Sequence, residues 1–237
     1  MNLIWATTGA LAGLPAGTAL RGQVYRLSVR SGEPDEASCL ECGAALPGLL
    51  APRCPHCGRW LGAAWAIELL AAAVAGLLLA RFGGQPAVAA FAFLGVLGVA
   101  LTQIDVAVHR LPDRLTLPAY PALIVLLGIA AAIGGAGSAL VRALLGGLVL
   151  AAVYLLLGLV SGGQLGGGDI KLAGLIGLVL GWIGWLALIF GACLGFVLAG
   201  LTGLMLLVGR RAARHSMISF GPFMLCGALL AIVAVRP

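Results

Sequence analysis

The chain has 237 residues, of which 62% are hydrophobic and only 9% charged, with a formal net charge of +6. Soluble domains run at about 45–50% apolar and 25% charged, so the composition excludes a water-soluble globular fold and places the chain in lipid. The positive charge does not point to nucleic acid, because the basic residues sit in short loops between apolar runs, where they set membrane orientation.

Apolar runs of about 20 residues, the length that crosses a bilayer, predict an all-α fold, a polytopic transmembrane helical bundle. About eight spans are expected, near residues 3–20, 61–80, 87–108, 115–133, 139–160, 169–181, 183–208 and 217–235. The first run, Asn2 to Leu20, lacks the basic stretch that opens a secretory signal, and its positive residues follow it at Arg21, Arg26 and Arg30; it reads as a retained first span. Residues 21–60 form the one substantial polar segment, with the acids Glu33, Asp35, Glu36 and Glu41, and residues 61–237 form the membrane core. With the N-terminus outside, eleven of the 14 lysines and arginines fall on the cytoplasmic side and only Arg81, Arg142 and Arg236 outside, the asymmetry that positive cytoplasmic loops require. Between the sixth and seventh spans only Gly181 to Gly184 offers a turn, so the two are either separate or one broken helix. The 37 glycines read mainly as small residues that let helix backbones approach.

Within the polar segment, Cys39-Leu40-Glu41-Cys42 and Cys54-Pro55-His56-Cys57 are two C-x-x-C pairs 11 residues apart, each followed by glycine at Gly43 and Gly58. Two cysteines at that spacing turn both sulfurs onto one tetrahedral metal, which points to a structural, zinc-knuckle-like loop held by Cys39, Cys42, Cys54 and Cys57. Disulfides are the competing account, and the reducing cytoplasm argues for metal. His56 is an alternate ligand or a solvent-facing residue. Cys193 and Cys226 stand alone in apolar spans and read as packing residues.

Carboxylates inside lipid-embedded spans are the sharper signal, since an ionised one at the bilayer centre costs about 2.5 kcal/mol or more and marks function. Glu68, Asp105 and Asp169 qualify, each near the expected cytoplasmic face. Two aspartates that share a proton can activate water and polarise a scissile carbonyl, the chemistry of an aspartic protease. The same pair would also serve a proton-coupled transporter, and a noncatalytic membrane scaffold would need neither. Asp169 ends the run Gly166-Gly167-Gly168, whose bare backbone suits an extended peptide, or else it caps the sixth helix. Asp113, after Pro112, is either a helix N-cap or a second carboxylate of the Asp105 segment. Glu68 either holds a substrate's ammonium group or pairs with an arginine such as Arg59.

These segments resemble, in order and over nearly the whole chain, the type IV prepilin leader peptidase and N-methyltransferase family, membrane aspartyl proteases of the GxGD type. The resemblance is carried by Ala16-Gly17-Thr18 with Tyr25-Arg26-Leu27, the two C-x-x-C pairs, and Ala66-Ile67-Glu68-Leu69-Leu70. It continues through Ile104-Asp105 to Leu111-Pro112-Asp113 with Leu115-Thr116-Leu117-Pro118, Gly166 to Leu172, and Phe220-Gly221-Pro222-Phe223. It implies that Asp105 and Asp169 are the catalytic pair; Glu68, Asp113, Gly166, Gly168 and Lys171, read from their own positions, are candidate substrate-positioning residues. It also implies prepilin or pseudopilin substrates, cut at the cytoplasmic face of a bacterial inner membrane, and in many members methylation of the new N-terminus from S-adenosylmethionine. The chain departs from the family at Ala19 and Arg21, where phenylalanine and asparagine are usual, and in its short first loop, so the resemblance carries proteolysis further than methylation.

Overall fold

The computed structural model describes residues 2–28, 38–39, 41–46, 53–61, 65–162, 165–209 and 219–235. The acids Glu33, Asp35 and Glu36, together with Arg30, Arg236 and the expected turn from Arg210 to His215, lie outside them. The described residues form eight helices: α1 (Leu3–Leu27), α2 (Ala66–Phe82), α3 (Val88–Val108), α4 (Asp113–Gly134), α5 (Gly137–Val160), α6 (Gly167–Ile183), α7 (Trp185–Val208) and α8 (Gly221–Ala234). Five of them, α1, α3, α4, α5 and α7, are long and apolar enough to cross a membrane, and large side chains such as Leu148, Val160, Leu186 and Met205 stand exposed on their outer faces. The chain is a multi-pass membrane protein of the expected all-α class. It divides into two compact units, Met1–Pro112 and Asp113–Pro237.

In the first unit, α1 and α2 are the closest neighbours. Gly9, Gly13 and Gly17 recur every fourth residue and so line one side of α1. A Cβ at Gly9 would lie 2.5 Å from the Ala75 carbonyl oxygen, one at Gly13 2.6 Å from that of Ala71, and one at Gly17 2.7 Å from the Glu68 Cα. The expected end of the first span at residue 20 is overrun, because α1 continues to Leu27. The arginine that breaks the apolar run, Arg21, is tolerated inside the helix because its charge is matched there.

In the second unit, α6 touches α4, α5, α7 and α8. From Leu172 to Gly181 every residue is buried, as expected of a helix apolar on all sides and surrounded by protein. Glycines set its contact with α5: a Cβ at Gly177 would lie 2.4 Å from the Gly146 carbonyl oxygen and one at Gly181 2.8 Å from that of Arg142. The expected sixth and seventh spans are separate helices, broken at Gly184. Arg142 of α5 closes the break, donating from Nε to the Gly181 carbonyl (2.8 Å) and from a terminal nitrogen to that of Trp182 (2.6 Å). A cation at a helix C-terminus satisfies orphan carbonyls and opposes the helix dipole. Cys193 and Cys226 are exposed on α7 and α8 rather than packed in the core.

Candidate functional site

The two C-x-x-C segments fold alike. In each, the amide after the pair turns back on the first cysteine, Gly43 N–H to the Cys39 carbonyl (2.8 Å) and Gly58 N–H to that of Cys54 (2.9 Å). Both glycines hold left-handed backbone, at φ 69° and 68°, which side chains resist. Isolated antiparallel bridges, Ser38 with Ala45 and Arg53 with Trp60, close the two turns. The four sulfurs of Cys39, Cys42, Cys54 and Cys57 lie within 4.8 Å of one another, and none is in a disulfide. Cys39 Sγ is 3.9 Å from Cys57 Sγ and Cys42 Sγ 3.6 Å from Cys54 Sγ. Tetrahedral thiolate ligands at about 2.3 Å from a metal stand about 3.8 Å apart, so the donor set fits a four-thiolate ion. The backbone N–H of Cys57 draws the Cys54 thiol down to about 6, against the opposing effect of desolvation. At Cys42 the Ala44 N–H also lowers the pKa, but desolvation and the other three cysteines raise it to about 12. The sulfurs compete for one negative charge, a competition that a cation relieves. His56 is exposed, in keeping with four cysteine donors.

This knuckle is docked on the end of α1. Cys39, Cys54, Leu46 and Leu61 form one buried cluster with Tyr25 and Ala44 packed on it, Tyr25 donates to the Ser38 carbonyl at 3.4 Å, and Arg26 donates to the Leu46 carbonyl. Arg21, fully buried, donates from Nε to Glu68 Oε1 (2.7 Å), from a terminal nitrogen to Glu68 Oε2, and from the other to the Leu61 carbonyl (3.2 Å). Its guanidinium also lies 5.0 Å from the centre of the Trp60 ring, which Arg53 approaches at 4.0 Å. The partner of Glu68 is therefore Arg21, while Arg59 pairs with Glu41 at 2.9 Å.

Asp105 lies near the end of α3 and is only 5% exposed, beside the fully buried Leu101 and Ile104. Its carbonyl accepts the His109 amide at 2.8 Å, and His109 ends the helix in left-handed backbone at φ 52°.

In the second unit, Asp169 is the third residue of α6. The cap position is held by Gly166, with no side-chain cap, so the capping expectation for Asp169 fails. One carboxylate oxygen of Asp169 faces the open side of Gly166 at 3.5 Å from where a Cβ would stand, and Gly168 precedes it in the first turn. Asp169 lies within electrostatic reach of Tyr154 of α5. That tyrosine is 1% exposed and stacks with Phe196 and Phe220, ring centres 5.4 and 6.1 Å away. Asp113 opens α4 in its first turn rather than as its N-cap and receives Lys171 Nζ at 2.5 Å. The Tyr120 hydroxyl donates to the Lys171 carbonyl at 2.7 Å.

Residues 89–204 match the type IV leader peptidase family. A prepilin leader peptidase/N-methyltransferase from Burkholderia pseudomallei is 34% identical over 81% of this chain and 64% of its own length. Over these residues the chain is similar to the type IV leader peptidase family. Relatives with the same name in Aeromonas hydrophila (32% identical, 76% of this chain and 62% of theirs) and Stutzerimonas stutzeri (27% identical, 98% and 91%) agree. The chain thus spans about 64% of the length of the Burkholderia relative. No solved structure matches it. Asp105, Asp113, Asp169 and Lys171 all fall in the family-matched residues, whereas the cysteine knuckle precedes them. The transporter reading of the two aspartates gains no support from these matches.

Sequence reasoning passed over Arg21, Trp60, Tyr120 and Tyr154. The signal for the tyrosines was present, since a chain with three of them does not place two phenols in apolar helices without a hydrogen-bonding or stacking partner.

Proposed function

We propose that the protein is an aspartic endopeptidase that removes the short basic leader of type IV prepilins or pseudopilins at the cytoplasmic face of a bacterial inner membrane. The observation that carries this reading is that the family match spans both Asp105 and Asp169, each the one acidic residue of its helix. In the reaction, one aspartate, ionised, takes a proton from water, whose oxygen attacks the scissile carbonyl carbon. The other, protonated, donates to the carbonyl oxygen, and collapse of the tetrahedral intermediate releases the leader's new carboxylate and the mature chain's amine. The bare backbone at Gly166 and Gly168 gives an extended substrate room beside Asp169.

The knuckle binds one zinc through Cys39, Cys42, Cys54 and Cys57 and serves structure, since four thiolates leave no open coordination position for water. The relatives' names support a second activity, transfer of a methyl group from S-adenosylmethionine to the new amine, in which Glu68, already tied to Arg21, orders the surface that receives it. Cleavage of a co-expressed prepilin by the purified wild type, Asp105→Asn and Asp169→Asn proteins is the deciding experiment. Cleavage by the wild type alone is expected; processing by either variant at near wild-type rate removes the dyad.

A further inference from the structure

The helix that carries Asp169 begins on a glycine run that favours its first turn only weakly. Its cap residue Gly166 has no side chain to offer, and Gly167 and Gly168 fill its first two positions, where glycine leaves the backbone freer than alanine would. A carboxylate that must be held within about 0.5 Å would not be expected on such an end. Two contacts from α4 compensate. Lys171 reaches Asp113 through its ammonium group, and its backbone carbonyl accepts the Tyr120 hydroxyl. Asp113 and Tyr120 are seven residues apart, two turns of α4 and so on one face. The approach of Tyr120 depends on a missing side chain, for a Cβ at Gly174 would lie 2.0 Å from the phenol oxygen.

Lys171 follows Asp169 by two residues, a rotation of about 200° around the helix. The two side chains therefore leave α6 in opposite directions, Lys171 toward α4 and Asp169 toward Gly166 and the side of Tyr154. Lys171 cannot serve mainly as a counter-charge for Asp169. Nor does the Asp113 pair contribute much stability, because its side chains are 36% and 58% exposed and such pairs are worth about 0.2–1 kcal/mol. What the contacts fix is where the first turn sits.

We propose that Asp113, Lys171 and Tyr120 form a clamp that positions Asp169, gripping α6 on the face opposite the carboxylate. These are positioning residues, and Tyr120 is the member whose removal isolates the effect. The inference rests on the peptidase reading only in taking Asp169 as catalytic.

The test uses the full-length protein in detergent or nanodiscs, with Tyr120→Phe, Lys171→Met, Lys171→Asp and the exchanged pair Asp113→Lys with Lys171→Asp. Hydrogen exchange of the amides in residues 167–175 is compared with cleavage kinetics on a prepilin peptide. Tyr120→Phe and Lys171→Met should speed that exchange and lower kcat by about tenfold or more, since misplacement of a reacting group by 1 Å costs up to about a hundredfold, with KM unchanged. The exchanged pair should recover at least about threefold in kcat over Lys171→Asp alone, the non-additivity that contact implies. Unchanged exchange in Tyr120→Phe overturns the clamp whether or not the protein cleaves. A raised KM at constant kcat in Lys171→Met also overturns it, assigning Lys171 to substrate contact. A wild type that cleaves no prepilin while Tyr120→Phe loosens the helix refutes the peptidase reading and leaves the clamp standing.

Discussion

Arg21 on α1 and Glu68 on α2 form a two-pronged ion pair with both side chains shut from solvent, 0% and 2% exposed. The Leu61 carbonyl and the Trp60 ring complete the surroundings of the guanidinium, so one buried group ties two helices to the cysteine knuckle. Removing one partner of such a pair leaves an uncompensated buried charge, which costs about 3–5 kcal/mol. Arg21→Met and Glu68→Leu should each lower the thermal midpoint of the detergent-solubilised protein sharply, while the double variant should regain most of the loss. A double variant as unstable as the sum of the two singles would mean that the residues act independently.

The knuckle should bind about one zinc per chain, as measured by elemental analysis of the purified protein. Its geometry predicts that Cys54→Ser with Cys57→Ser abolishes the metal and frees the end of α1, where Tyr25 and Arg26 make their contacts. Limited proteolysis near residues 21–60 should then accelerate, with insertion unaffected. Metal-free wild-type protein holding two disulfides would refute the assignment.

How far the chain could be read from its letters differs between its parts. The knuckle was legible because C-x-x-C spacing encodes geometry within a few residues, and the sulfurs stand where that spacing implies. The helices were legible because lipid demands long apolar runs, although only five of the eight described are long and apolar enough to cross a membrane. Pairings between distant segments were not, since nothing in Glu68 itself distinguishes Arg21 from Arg59, and Arg21 sits in a sequence that reads as the start of a loop. It is helical because Gly17 lets α1 press against Glu68. The role of Lys171 was similarly hidden: its neighbour Asp169 draws attention, while its partners Asp113 and Tyr120 lie more than 50 residues away. The small residues were recognised as packing residues in general, but which glycines are indispensable appears only where backbones meet.

Asp105→Asn and Asp169→Asn should each cut leader cleavage by about a thousandfold or more, as loss of an acid–base group does, at unchanged abundance in membranes. Asparagine keeps the shape of aspartate but can neither take nor share the proton. Asp113→Asn, which still offers an oxygen to Lys171, should retain at least about a tenth of the activity. A dead Asp113→Asn beside an active Asp105→Asn would transfer the catalytic role to Asp113.

Glycine substitutions should sort by backbone contact. At Gly177 a new Cβ meets the Gly146 carbonyl at 2.4 Å, and at Gly84 it meets nothing within 4 Å. Gly177→Ala should force α5 and α6 apart and destabilise by about 1–3 kcal/mol, the usual cost of overpacking, while Gly84→Ala should be close to neutral. Thermal unfolding in one detergent compares them directly, and equal midpoints would show that the α5–α6 contact yields without cost.

Methyl transfer, if this chain performs it, should be separable from proteolysis. It needs a bound donor and an oriented amine and has no step that two shared-proton carboxylates perform, so Asp105 and Asp169 should be dispensable to it. An Asp169→Asn protein given a peptide with an already mature pilin N-terminus and labelled S-adenosylmethionine should label that peptide at close to the wild-type rate. Disruption of the Arg21–Glu68 pair should instead reduce labelling, because that pair joins the knuckle to α1 and α2 in the same unit. Arg21→Lys supplies the discriminating variant: it keeps the charge but loses the two-pronged geometry and the planar stacking on Trp60. Labelling reduced in Arg21→Lys, with cleavage and thermal stability near wild type, would assign the pair to methyl transfer. No label from a cleavage-competent wild type would leave the protein a peptidase alone, in line with its departure from the family at Ala19 and Arg21.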